Sequence, residues 1–119
     1  MVSRSEMERR KQIAVEMILD SEGLTNDLTD EEARLLLDWG LHRAELYALA
    51  TQDIADPDQA RLAIARYTGD LRQIMRRLSR QAGQAADPLA ELQNLLAAEA
   101  GEEMNYPERC AAPHRLDED

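Results

Sequence analysis

The stretch ARLAIARYTGDLRQIMRRL, residues 60–78, decides the fold. At 100° per residue, Ala60, Ile64, Tyr67, Leu71, Ile74 and Leu78 fall on one line at alternating spacings of four and three, a heptad seam. A seam of this kind predicts long, nearly antiparallel packing against a neighbouring helix. Its start is marked by Asp56 as cap and Pro57 at the first helical position, where a missing N–H costs nothing, and Gly83 marks its stop, so the helix is expected over 57–82. On the half of this helix opposite the seam lie Arg61, Arg66, Arg72, Arg76, Arg77 and Arg80, an outward stripe of like charge.

Working back along the chain, Thr29 and Glu32 have capping-box spacing, and Asp30, Glu31 and Glu32 place three carboxylates at the positive end of a helix dipole. A helix over 30–54 follows. Its apolar arc, with Leu35, Leu36, Leu37, Trp39, Leu46, Tyr47 and Ile54, is wider than one contact face needs. Such a helix is either central in a bundle or half of a subunit interface. Ala33, Gly40, Ala44 and Thr51 share a narrow line within that arc, where another backbone can approach closely. Leu35, Trp39, Gly40, Leu46 and Tyr47 are therefore the candidates for an oligomer interface, although the simpler role for Gly40 is to fill a crowded crossing inside the chain.

Ser3 and Ser5 each stand three residues before a glutamate, so a first helix can start at either and run over roughly 5–21, with Met7, Ala14, Met17 and Ile18 on its inner face and Gly23 as its stop. Asp87-Pro88 repeats the cap-and-proline device and opens a fourth helix over 88–103, with Leu89, Leu92, Leu96 and Ala100 inward. Residues 105–119 hold two prolines, one leucine and no periodicity, and are read as a flexible acidic tail after a helical-bundle domain over 1–104.

Composition agrees with this all-α reading. The 119 residues include no Phe, one Trp and three Tyr, so the core must come from Leu, Ile, Met and Ala, and no run alternates as a half-buried strand does. Cys110 is the single cysteine, which excludes an intrachain disulfide and suggests a reducing compartment. With no apolar run long enough for a signal peptide or a spanning helix, the expected location is the cytoplasm. Nearly all the basic residues are Arg, which fits a GC-rich bacterial genome.

The net charge of −10 argues against a broad nucleic-acid-binding surface. It is unevenly spread: −2 over 1–29, −5 over 30–57, +4 over 58–86 and −7 over 87–119. Three roles compete for the arginine stripe: a solvated face paired with neighbouring carboxylates, a dock for an acidic partner or for the chain's own Leu116–Asp119 end, and a site for nucleic acid or another polyanion. No aromatic side chain lies among these arginines to stack a base.

Signs of catalysis are sparse. Asp38, His42 and Glu45 share the polar face of the second helix and are the only candidates for metal ligation. Cys110 and His114 form half a zinc motif, and the sequence shows neither a P-loop nor a glycine-rich dinucleotide loop. No cofactor or small-molecule substrate is implied. The expectation is a non-enzymatic interaction, assembly or regulatory module that self-associates, with polyanion binding through the stripe and metal binding at Asp38, His42 and Glu45 as alternatives.

Overall fold

A computed structural model describes residues 2–103 as four helices: α1 (Arg4–Leu19), α2 (Asp30–Leu49), α3 (Pro57–Gly83) and α4 (Pro88–Glu103). The chain is all-α, as its patterning predicts. Each start is built by the residues that signal it. Ser3, not Ser5, caps α1 by accepting from the Glu6 amide at 3.1 Å. Thr29 and Glu32 complete both halves of the capping box on α2. Asp56 accepts from Asp58 N at 3.0 Å and Asp87 from Ala90 N at 3.3 Å, each just ahead of a proline.

The helices run alternately up and down. Arg10, near the start of α1, meets Thr51 just past the end of α2. Farther on, Met17 lies against Thr68 and Arg72 while Glu22 lies against Arg76, so α1 runs with α3 and against α2. Both α2 and α3 touch all the other helices, and α1 and α4 each pack against that pair. The wide apolar arc of α2 therefore belongs to a central helix: Leu36, Ala44, Tyr47 and Ala48 enter the core, and Leu35, Leu37, Trp39 and Leu41 pack half-buried against it.

On α3 the buried line is Ala60, Ile64, Thr68, Leu71, Met75, Leu78, Ser79 and Ala82. It includes most of the expected seam but is rotated toward α1, which leaves Tyr67 and Ile74 half-buried at its edge. Two polar residues sit within this line. Thr68 turns its hydroxyl back to the Ile64 carbonyl at 2.8 Å, which satisfies it locally. Ser79 Oγ is buried with no hydrogen-bond partner.

Two boundaries differ from expectation for physical reasons. α2 ends at Leu49 rather than at residue 54 because its last turn tightens into i→i+3 bonds, Thr51 N to Ala48 O and Gln52 N to Leu49 O. Thr51 Oγ1 donates to Ala48 O at 2.6 Å, and Arg10 Nη1 takes the Thr51 carbonyl at 2.7 Å, an oxygen that a continuing helix would use for its own ladder. Gly83 is still helical, and its lack of a side chain serves a contact rather than a left-handed stop. A Cβ there would stand 2.7 Å from the Asp27 carbonyl oxygen of the α1–α2 connection. The glycine with positive φ is Gly23, at +79°. It turns the connection that drops Leu24 into the core.

Residues 104–119, with Cys110, His114 and the Leu116–Asp119 end, lie outside the described residues. None of the described helices is long and apolar enough to cross a membrane.

Candidate functional site

The interface candidates on α2 separate into two groups. Gly40 and Tyr47 are buried inside the chain. Gly40 receives Met75 of α3, whose Sδ and Cε would stand 2.5 Å from a Cβ at that position. The close approach that the small-residue line predicts is thus an internal α2–α3 crossing. Leu35, Trp39 and Leu46 lie on the other flank of α2 and remain half-exposed.

That flank faces α4. Leu35 and Trp39 form with Leu96 and Ala97 a groove of about 460 Å³, rimmed by Asp38 and Gln93. It continues toward the start of both helices as a second hollow, lined by Glu31, Arg34, Leu35, Asp38, Leu89 and Gln93. The pairing of residues 31–38 with 89–93 and of Trp39 with 96–97 shows that α4 runs in the same direction as α2. The floor is apolar, and its rim carries both signs of charge.

Trp39 also carries an arginine. The Arg43 guanidinium carbon lies 5.6 Å from the centre of the indole ring, one turn along α2. Arg43 is only 6% exposed, its Nε has no hydrogen-bond partner, and the ion pairs among the described residues leave it out. A cation–π contact of this kind is worth about 0.5–2 kcal/mol. Trp39 Nε1 is likewise buried without a partner.

A second buried arginine is better served. Arg10, 1% exposed, bonds Glu6 Oε2 at 2.9 Å through Nε and Thr51 through Nη1, while Nη2 stays unpaired. The patterning of the sequence does not mark Arg10 or Arg43 as core residues. Their signal is positional: each lies inside an apolar line of its helix, Arg10 with Ala14 and Ile18, Arg43 with Leu36, Trp39 and Tyr47.

The arginine stripe of α3 is divided among three surroundings. Arg72 and Arg76 lie half-buried; Arg72 donates to the Met17 carbonyl in the last turn of α1 at 3.4 Å, and Arg76 to the Glu22 carbonyl in the α1–α2 connection at 3.3 Å. The last turn of α1 has no basic residue of its own, so Arg72 complements its negative end from the neighbouring helix. Arg77 pairs with Glu99 of α4 at 2.6 Å. Arg61, Arg66 and Arg80 are exposed, with Leu62 beside them at 65% exposure.

Asp38, His42 and Glu45 are all exposed on the outer face of α2. Among the described residues no three of His, Cys, Asp and Glu come together as a metal site. Compared with known proteins, the chain matches no family model, no curated protein and no solved structure.

Proposed function

We propose that this chain is a non-enzymatic assembly module that pairs with a second copy of itself through the α2–α4 groove. The observation that carries this reading is the apolar groove floor, in which half-exposed Leu35 and Trp39 flank buried Leu96. A two-fold interface must be self-complementary. Here the rim offers Arg34 beside Glu31 and Asp38, so an arginine of one copy can face carboxylates of the other. Leu46 extends the same flank by two turns of helix.

Net charge opposes this association. Two chains of −10 repel each other at low salt, and screening at higher ionic strength strengthens the pairing. Polyanion binding has the opposite salt dependence.

Trp39, the only tryptophan, reports on the groove directly. On dilution from high to low micromolar concentration, acrylamide quenching of Trp39 should rise as the pair dissociates. Ala97 is an exposed position on the groove wall, so Ala97→Glu introduces a charge there without disturbing the core. This variant should show the high-quenching state at every concentration. Quenching that stays the same on dilution and in Ala97→Glu would overturn the proposal.

A further inference from the structure

The outer side of α3 belongs neither to the core nor to the α2–α4 groove. Arg61, Leu62, Arg66, Arg72, Arg76 and Arg80 fall there within an arc of about 140°, along about 28 Å of helix. The acidic residues of α3 are Asp58, in its first turn, and Asp70, which lies outside the arc. Leu62, at 65%, is the most exposed large apolar side chain among the described residues. Along the helix it is followed by exposed Ala65 and by Gly69, where the nearest atom that a Cβ would meet is an Arg72 guanidinium nitrogen at 3.8 Å. The face is thus a low floor with one leucine, flanked by cations.

We propose that this face docks an acidic amphipathic helix of a separate protein, with apolar residues of that helix on Leu62 and the Ala65–Gly69 floor and its carboxylates on the flanking arginines. The proposal does not rest on self-association. Leu62, Ala65, Gly69, Arg72 and Arg76 keep alternating spacings of three and four, so a partner helix can follow this line for two heptads. Charges that flank a helix–helix seam select the partner by complementarity. Part of the flank is already held in place: Arg72 and Arg76 are anchored by the carbonyls of Met17 and Glu22. A carbonyl engages one of the five N–H groups of a guanidinium, and an anchored side chain loses less freedom when a carboxylate joins it.

The chemistry of the face favours a protein over a nucleic acid. A phosphate backbone offers Leu62 no apolar contact, and no aromatic side chain lies among the arginines to stack a base. The +4 of residues 58–86 also sits in a chain of −10, so a long polyanion that runs past the ends of the face meets repulsion. An acidic helix of about five turns ends where the arginines end. Single exposed ion pairs are weak, so recognition needs several of them together with the apolar contact. The order of residues in the partner therefore matters, and not its charge alone.

Fluorescence anisotropy tests this with the full chain and a labelled 20-residue helical peptide of Leu, Ala and Glu, written with Leu and Ala along a heptad seam and Glu on both flanks. A shuffled peptide of the same composition and a 20-base-pair DNA duplex are the comparators. At 50 mM salt the seam peptide should bind at least about tenfold more tightly than either comparator, and at 0.3 M salt its binding should weaken at least about fivefold. Arg66→Glu and Leu62→Asp, both at exposed positions, should each weaken it at least about fivefold, with circular dichroism confirming that the helices are intact. Arg34→Glu, on the rim of the α2–α4 groove, should change it less than about twofold. Equal binding of the shuffled peptide would mean that only charge is read, and tighter binding of the duplex would mean that phosphate is. No binding at 50 mM salt, or binding that neither α3 variant weakens, would mean that the face is simply solvated. Any of these results would overturn the proposal.

Discussion

Arg10 Nη1 donates to the carbonyl of Thr51 at 2.7 Å, joining the first helix to the turn that ends the second. The guanidinium is fully enclosed and also bonds Glu6, so its removal has two separable parts. Arg10→Ala loses the bonds and leaves a cavity, and should cost about 3–5 kcal/mol. Arg10→Met removes the charge but fills the space, while Thr51 O keeps its bond from Ile54 N, so the loss should be less than half as large. Urea unfolding of the two variants tests this order. Equal losses would show that packing plays no part.

The contrast between Gly83 and Gly40 gives a second expectation. At Gly83 a methyl group meets backbone, the Asp27 carbonyl oxygen, so Gly83→Ala should destabilise by about 1–3 kcal/mol. At Gly40 it meets the flexible end of Met75. There the helix-propensity gain of about 1 kcal/mol for Gly→Ala offsets part of the overpacking, and the melting temperature should fall by less. If Gly40→Ala is the more damaging of the two, Met75 has no room to move.

The helical class, the starts of α2, α3 and α4 and most of the heptad line were legible because each rests on local chemistry: caps, prolines and period; at α1 the spacing left Ser3 and Ser5 equally open. What escaped the sequence was set by contacts between distant residues. The early end of α2 depends on Arg10 reaching Thr51 across 41 positions, and the role of Gly83 depends on Asp27. The arginine stripe reads as one face by angle alone, but its flanks meet different neighbours, α1 at Arg72 and Arg76 and α4 at Arg77. The groove was half visible: Leu35, Trp39 and Leu46 are separated from Gly40 and Tyr47 only by the placement of α4.

The stripe should behave accordingly in stability measurements. Arg72→Ala removes a bond to the last turn of α1 and Arg76→Ala one to the connection that follows it, and each should cost a few tenths to about 1 kcal/mol. Arg66→Ala and Arg80→Ala lie on the exposed part and should stay within about 0.5 kcal/mol of the parent. Chemical denaturation of the four variants separates the groups, and a uniform response would contradict the division.

Leu71 and Leu62 lie on opposite sides of α3, fully buried and 65% exposed. Leu71→Ala should cost about 2–5 kcal/mol, and Leu62→Ala less than about 0.5 kcal/mol. Thermal unfolding compares them. A comparable loss at Leu62 would mean that this face is covered in solution, against the account of an interface restricted to the α2–α4 side.

Sedimentation equilibrium tests the central claim most directly, because it reads the mass of the unmodified chain without a probe. At tens of micromolar and 0.15 M salt the account predicts twice the 13.5 kDa chain mass, with tighter pairing at 0.5 M salt and a single-chain mass for Ala97→Glu. A mass of 13.5 kDa at both salt concentrations, or a pair that Ala97→Glu leaves intact, would contradict it.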